Sequence, residues 1–102
     1  MKVILSFTLV PVSSGLSISP YVALCQNILS ESGLSYEMHA NGTNIEGEWA
    51  DVFAVVEKCH QVVHEAGAQR IFTTIQLGTR TDKNQNMSDK TKSVMQKLKD
   101  MQ

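Results

Sequence analysis

The sequence predicts an α+β domain built on one four-stranded antiparallel sheet, and three observations lead to that prediction. Apolar and polar residues alternate with a period of two in four segments, as in strands that bury one face. Apolar residues recur at helical spacing in two longer segments between them. The order of these elements is β-α-β-β-α-β, so each helix connects two strands of the same sheet.

The first strand is predicted over residues 2–10, and Pro11 is expected to end it. Its apolar face consists of Val3, Leu5, Phe7 and Leu9. After the loop "PVSSGLS", Ser19 is predicted to cap a helix that begins at Pro20, where the missing amide of proline costs nothing. Gly33 then supplies the C-terminal cap of this helix.

The next segment is predicted to be a β-hairpin, with residues 35–40 as its first strand and "TNIEGE" as its second. If Asn41 and Gly42 form the turn, Glu37 faces Glu46 and His39 faces Asn44. If the turn slips by one residue on each strand, Glu37 faces Glu48 and His39 faces Glu46. Both registers place these side chains on the same face of the sheet.

A second helix is expected from Trp49 or Ala50 to Ala66, with Gly67 closing it, and residues 70–77 are predicted to form the fourth strand. Ser88 is expected to cap a short C-terminal helix, whose four lysines fit a solvated face. The whole chain, 1–102, is therefore interpreted as a single ferredoxin-like βαββαβ sandwich with a short C-terminal helix.

In this fold the two helices cover only one face of the sheet. The apolar face of each strand is expected to meet the helices. Besides the face of the first strand, these residues are Tyr36 and Met38 with Ile45 in the hairpin, and Ile71, Ile75 and Leu77 in the fourth strand. The other face can remain solvated, or it can pack against the sheet of a second copy. It is expected to display Ile4, Ser6, Thr8, Val10, Glu37, His39, Asn44, Glu46, Glu48, Phe72, Thr74 and Gln76.

This open face combines hydroxyl, amide and carboxylate groups with few basic residues. Such a surface suits a cation, or a ring that bears an amino group and protonatable nitrogens. Two alternatives remain open at this point: the glutamates form a solvated sheet face, or the histidines and acids of two subunits together bind a metal.

Composition excludes several other classes of function. A net charge of -1 provides no positive field for nucleic acid, and no apolar stretch approaches the ~18 residues of a membrane span. The apolar N-terminus resembles a short signal peptide, but no A-x-A cleavage site follows it. The predicted location is therefore cytoplasmic. Cys25 and Cys59 are interpreted as reduced, buried thiols, and His60 and His64 as surface histidines without a third metal ligand.

No G-x-S-x-G, P-loop or HExxH motif occurs, and nothing in the sequence requires an enzyme, a metal or a cofactor. Several segments instead carry a family resemblance: "MKVILSFTLVPV", "ESGLSYE", "GTNIEGEW" and "RIFTTI" followed by an Arg-x-Asp-Lys segment. Together they resemble the MTH1187/YkoF-like family of small thiamine-binding proteins (UPF0045-type small proteins). The resemblance runs from residue 2 to about residue 95.

The resemblance implies a ferredoxin-like protomer that pairs sheet to sheet as a homodimer or homotetramer, with thiamine or its hydroxymethylpyrimidine part as ligand. Glu46 or Glu37 is then expected to bind the aminopyrimidine, and Trp49 or Phe72 to supply a ring face. Polar orientation is expected from Ser6, Thr8, Asn44 and Thr74, with His39 beside the carboxylates. The competing hypotheses are a structural or regulatory oligomerisation module with a different small-molecule ligand, and an enzyme acting on a thiamine-like substrate.

Overall fold

The structure is a computed structural model that describes residues 1–12 and 17–102. Residues 13–16 of the predicted loop lie outside the described residues. The elements are β1 (Lys2–Val12), α1 (Ser19–Ser32), β2 (Ser35–His39), β3 (Gly42–Glu48), α2 (Trp49–Glu65), β4 (Arg70–Thr79) and α3 (Met87–Met101). The predicted α+β class and the predicted order of elements are therefore confirmed.

The four strands form one antiparallel sheet in the order β2-β3-β1-β4. β1 lies between β3 and β4 and pairs with both. Its alternating burial sends Val3, Leu5, Phe7 and Leu9 into the core. Its other side chains, Ile4, Ser6, Thr8 and Val10, lie on the face that α1 and α2 do not cover, which we call the open face.

Pro11 does not end β1, contrary to expectation, because the strand continues to Val12. The β1–β3 ladder stops at the pair Phe7 and Thr43, whereas the β1–β4 ladder continues past Pro11. Beyond Phe7, β1 is thus an edge strand on its β3 side. A proline without an amide hydrogen is tolerated at such an edge.

The register of the β2–β3 hairpin differs from both predicted registers. Glu37 faces Asn44, and Glu46 faces Ser35. Ala40 and Asn41 form the turn, and Gly42 is already the first residue of β3. The two carboxylates are therefore not a facing pair, although they share the open face as predicted, because the register shift preserves parity.

The core lies between the sheet and the two helices α1 and α2. Its members are the inward residues of β1 together with Cys25, Leu29, Ile45, Val52, Val56, Cys59, Val63 and Ala68. Tyr36 and Ile71 pack against this core as predicted. Met38, Ile75 and Leu77 do not meet the helices as expected, and they are 59%, 39% and 38% exposed. They lie on the two outer strands, β2 and β4, beyond the area that the two helices cover.

Two predicted helix starts are displaced. The N-cap of α1 is Ile18, and Ser19 is its first helical residue, with Pro20 in the first turn as predicted. The N-cap of α3 is Asn86 rather than Ser88, because Asn86 and Asp89 form a reciprocal capping box. The cap of α1 at Gly33 is left-handed, with φ 76°, as the sequence indicated.

Helix α3 extends away from the rest of the domain. None of its residues is buried, and the radius of gyration is 15.5 Å, against about 13 Å for a compact chain of this length. Met87, Lys90 and Thr91 begin a helical stripe that continues through the apolar residues Val94, Met95, Leu98 and Met101. We call these four residues the α3 stripe; they are 65%, 61%, 46% and 83% exposed.

We expect Gly42→Ala to destabilise the fold by about 1–3 kcal/mol, because a Cβ at this position has no room. That atom would lie 2.6 Å from the carbonyl oxygen of Phe7 and 2.7 Å from Oγ1 of Thr8. Urea unfolding followed by circular dichroism measures the change. Gly78→Ala is the matched control: its nearest neighbour would be the carbonyl oxygen of Ile4 at 3.8 Å, so we expect a change within ~0.5 kcal/mol. Equal stability of both variants would contradict the steric account.

Candidate functional site

A cleft of about 670 Å³ lies on the open face, between the sheet and the first turn of α3. All four strands contribute to it. Its floor includes Ile4, Ser6, Glu37, Asn44, Glu46, Gln76 and Gly78, and its rim includes Asn86, Met87, Ser88, Lys90 and Thr91. A volume of this size is within the ordinary range for small-molecule sites.

Glu46 joins the floor of this cleft to its rim. Its Oε2 accepts a hydrogen bond from the backbone amide of Met87 at 2.9 Å. Met87 is the first residue of α3, so the carboxylate satisfies an amide that has no partner within the helix and also faces the positive end of the helix dipole. One carboxylate oxygen thus holds α3 in position, and Oε1 is left for another partner.

Glu37 is the second carboxylate of the cleft, and it is exposed. It faces Asn44 across the hairpin, and Glu46 lies two residues further along β3 on the same face. Within the described residues, Glu37 forms no ion pair and no side-chain hydrogen bond. The cleft therefore presents two carboxylates beside the amides of Asn44 and Gln76.

Ser6, which lines the cleft, forms a polar pair with His39, which lies outside the lining. His39 Nε2 lies 3.5 Å from Ser6 Oγ, and His39 Nδ1 accepts the backbone N–H of Asn41 at 3.3 Å. When the ring is neutral, this acceptor role at Nδ1 assigns the proton to Nε2. Nε2 then donates toward Ser6 and cannot remove its proton, so the arrangement orients a hydroxyl group but does not activate a nucleophile.

Three predicted site residues lie away from the cleft. Thr8 hydrogen-bonds the carbonyl oxygen of Asn41 and thereby supports the hairpin turn. Thr74 faces Thr8 further along the open face. Trp49 begins α2, where its ring packs against Phe53 with centroids 4.9 Å apart. The structure thus gathers Ser6, Glu37, Asn44 and Glu46 around one cleft, with His39 beside Ser6.

Phe72, the other predicted ring, is 63% exposed on the open face opposite Val10. It lies outside the cleft, and the guanidinium of Arg70 is 5.8 Å from its ring centroid. The rim on α3 is the part of the cleft that sequence reasoning missed. Ser88 indicated a helix start near this position, but no periodicity indicates that the start lies above the sheet.

The two helical histidines each have a protein partner. Nε2 of His60 lies 2.7 Å from Oγ1 of Thr73, and Nδ1 of His64 lies 2.7 Å from the carbonyl oxygen of Ala68. No group of three or more potential metal ligands occurs among residues 1–12 and 17–102. Burial of the imidazole lowers the pKa of His60, and the neighbouring His64 lowers it further.

Both cysteines are free and buried, as predicted. The Sγ of Cys59 lies 3.9 Å from the carbonyl oxygen of Cys25. The hydrogen bond to Cys25 and burial both raise the pKa of the Cys59 thiol, so this sulfur is a poor nucleophile.

Of the helices in the described part of the chain, none has the length and apolar character needed to cross a membrane.

Residues 5–95 match the model of the family described as thiamine-binding protein. The UPF0045 protein sll0230 of Synechocystis is 52% identical over 94 residues, which cover 92% of this chain and 78% of the relative. Protein MJ1052 of Methanocaldococcus jannaschii superposes with a TM-score of 0.85 at 24% identity, covering 92% and 96% of the two chains. A Thermotoga maritima protein described as a suggested thiamine biosynthesis or salvage protein superposes with a TM-score of 0.79 at 18% identity. The match covers 92% of this chain and 99% of that protein.

Fold and cleft together define a small ferredoxin-like α+β domain with a polar, ligand-sized cleft on its uncovered sheet face. The family match extends over most of the chain and confirms the resemblance seen in the sequence. The chain belongs to the thiamine-binding protein family.

The lowered pKa of His60 predicts a loss of stability on acidification. In the unfolded chain the imidazole has its ordinary pKa of about 6.5, so the unfolded state binds the proton more tightly. The free energy of unfolding should therefore fall as the pH decreases through about 6.5. We expect His60→Gln to show a smaller decrease in urea midpoint between about pH 7.5 and 5.5 than the parent protein. An identical pH slope in the two proteins would refute this assignment.

Proposed function

We propose that this protein binds thiamine, or a compound containing its hydroxymethylpyrimidine, reversibly in the cleft and without catalysis. The observation that supports this proposal most directly is the presence of two carboxylates, Glu37 and Glu46, in one cleft with neutral hydrogen-bonding groups around them. The family match supports the same ligand class. The suggested role of the T. maritima neighbour agrees with it, although that likeness concerns the fold alone.

The chemistry of thiamine fits this arrangement. Its aminopyrimidine carries an amino group that donates hydrogen bonds and a ring nitrogen that donates when protonated, so a carboxylate can accept from both. Its thiazolium carries a positive charge, which carboxylates attract. Glu37 and the free Oε1 of Glu46 are the two acceptors proposed for these groups, and Asn44 and Ser6 are proposed to orient the ring.

The polar pair of Ser6 and His39 favours binding over catalysis. The amide of Asn41 assigns the proton of neutral His39 to Nε2, so His39 has no basic nitrogen directed at Ser6. The polar groups that line the floor suit hydrogen bonding to a ligand and need no covalent step.

We also propose that the protein works as a homo-oligomer in which open faces pack together. The α3 stripe lies on the same side of the helix as Met87, which lines the cleft, and it continues along the part of α3 that extends away from the domain. All four of its apolar residues are exposed, and so are Val10 and Phe72 on the open face. The residues of the α3 stripe follow one another along one side of the helix, and such an exposed apolar surface marks a protein interface.

One observation favours a second candidate, a structural or regulatory oligomerisation module. Glu46 already has a structural partner in the amide of Met87, so its place in the cleft is explained in part without any ligand. In such a module the glutamates hold α3 in position and take part in the packing of subunits. The natural ligand is then a different small molecule. Thiamine would then leave the stability unchanged.

The N-terminal apolar segment forms β1, the strand that pairs on both sides in the sheet, so it belongs to the fold. The cytoplasmic location stays a prediction.

The ligand proposal predicts that thiamine raises the melting temperature in a saturable way and binds by calorimetry. Glu37→Gln should weaken binding by about 10- to 100-fold, the effect of losing one charged hydrogen bond worth about 1.5–3 kcal/mol. Glu37 is the more specific position for this test, because Glu46→Gln also changes the acceptor of the Met87 amide and so alters the contact that holds α3.

Glu65→Gln is the matched control, since it removes the same charge from an exposed glutamate at the end of α2, outside the cleft. We expect it to bind thiamine as the parent protein does. If thiamine neither binds nor shifts the melting temperature at millimolar concentration, the proposed function is rejected in favour of the oligomerisation module.

The oligomer proposal predicts that Leu98→Lys lowers the mass measured by light scattering after gel filtration. The expected reason is that a charge in the α3 stripe would be buried without a partner at the subunit interface. Because Leu98 is 46% exposed and takes no part in the core, the circular dichroism spectrum should stay the same.

Gln96→Lys serves as the control, because it adds the same charge on the opposite side of α3 and can still pair with Asp100. We expect it to retain the parent mass. A monomeric parent protein, or equal masses for the two variants, would exclude the α3 stripe as an interface.

A further inference from the structure

A second concave region, which we call the basic hollow, adjoins the cleft. Its volume is about 700 Å³, and it lies between the start of β1 and the segment that connects β4 to α3. Four basic residues line it: Lys2, Arg80, Lys83 and Lys90. Ile4, Gly78 and Lys90 line both the cleft and the hollow, so the two spaces share a boundary.

The two spaces differ in charge. The cleft has two carboxylates, Glu37 and Glu46, and one ammonium group, that of Lys90. The basic hollow has four cations and one carboxylate, Asp82. A molecule that spans the boundary would therefore meet acidic groups at one end and basic groups at the other.

Within the described residues, a single ion pair occurs in the hollow, between Arg80 and Asp82. Two guanidinium nitrogens of Arg80 donate to the two carboxylate oxygens, and Nη1 donates to Oε1 of Gln85 at 2.6 Å. The hydrogen bond from Arg80 lowers the pKa of Asp82 to about 2, so this carboxylate stays ionised and offsets the charge of Arg80. Lys2, Lys83 and Lys90 form no ion pair among the described residues, and the single Asp82 carboxylate cannot offset all of the positive charge of the hollow.

This excess of positive charge beside an acidic cleft suits the binding of an anionic group. Three ammonium groups with neighbouring hydroxyl and amide groups suit a phosphate or diphosphate, whose oxygens accept several charged hydrogen bonds. The register sets the distance: Ile4 pairs with Glu46 on one side and with Gly78 on the other. One strand spacing thus separates the backbone at Glu46 from Ile4, and two spacings, or about 10 Å, separate it from Gly78, both of which lie on the boundary.

We propose that the basic hollow binds the phosphate group of a phosphorylated ligand whose aminopyrimidine lies in the cleft, so that the site prefers thiamine phosphate esters to thiamine. This inference rests on the proposed function, because it assigns the other end of the same ligand. Lys83 and Lys2 act on the phosphate, and Lys90 stands at the boundary. The preference is electrostatic, so it decreases as salt screens the ammonium groups.

The test compares thiamine, thiamine monophosphate, thiamine diphosphate and inorganic pyrophosphate by calorimetry with the full chain. At low ionic strength we expect the esters to bind at least about 10-fold more tightly than thiamine, as one charged hydrogen bond would give. The difference should decrease at about 0.5 M salt. Lys83→Gln should reduce this difference and leave the affinity for thiamine unchanged.

Lys97→Gln is the matched control, since Lys97 is exposed on α3 and lines neither space. It should keep the parent's preference for esters. Equal affinity for thiamine and its esters would overturn the assignment of the hollow and leave the proposed function intact. Binding of pyrophosphate without any binding of thiamine compounds would reject both, and would identify a site for a free anion.

Discussion

The pairing of β1 on both of its sides is the constraint on which the rest of this structure depends. β3 and β4 take their registers from β1, and β2 takes its register from β3. Because side chains alternate along a strand, the burial of Val3, Leu5 and Phe7 under the helices commits Ile4 and Ser6 to the open face. The cleft floor is therefore a consequence of how the hydrophobic core is made.

Glu46 connects this sheet to the helix that completes the site. Its carboxylate accepts the first amide of α3, which is otherwise without a helical partner, and the capping box of Asn86 and Asp89 satisfies further groups at the same helix start. The helix is thereby fixed above the sheet by its N-terminus alone. Its apolar stripe continues beyond the domain, which suits a second copy of the chain.

Charge is distributed unequally between the cleft and the basic hollow, which adjoin each other near the start of α3. Carboxylates of β2 and β3 line the cleft, whereas the segment between β4 and α3 brings basic residues to the adjoining hollow, and Lys90 belongs to both. The net charge of -1 conceals this separation, because the nine basic and ten acidic residues of the whole chain nearly cancel. A ligand with a basic ring and an anionic tail would match the two regions in turn.

The sequence by itself determined the class, the order of elements and the faces of the strands, because alternation with a period of two does not depend on which strand is the neighbour. It therefore placed Glu37, Asn44 and Glu46 on one face. Only the tertiary structure decided the hairpin register, in which Ala40 and Asn41 form the turn and Gly42 lies where a Cβ would clash with Phe7 and Thr8. It also decided that the first turn of α3 lies at the cleft and that Trp49 does not, since both positions depend on long-range contacts that no local pattern records.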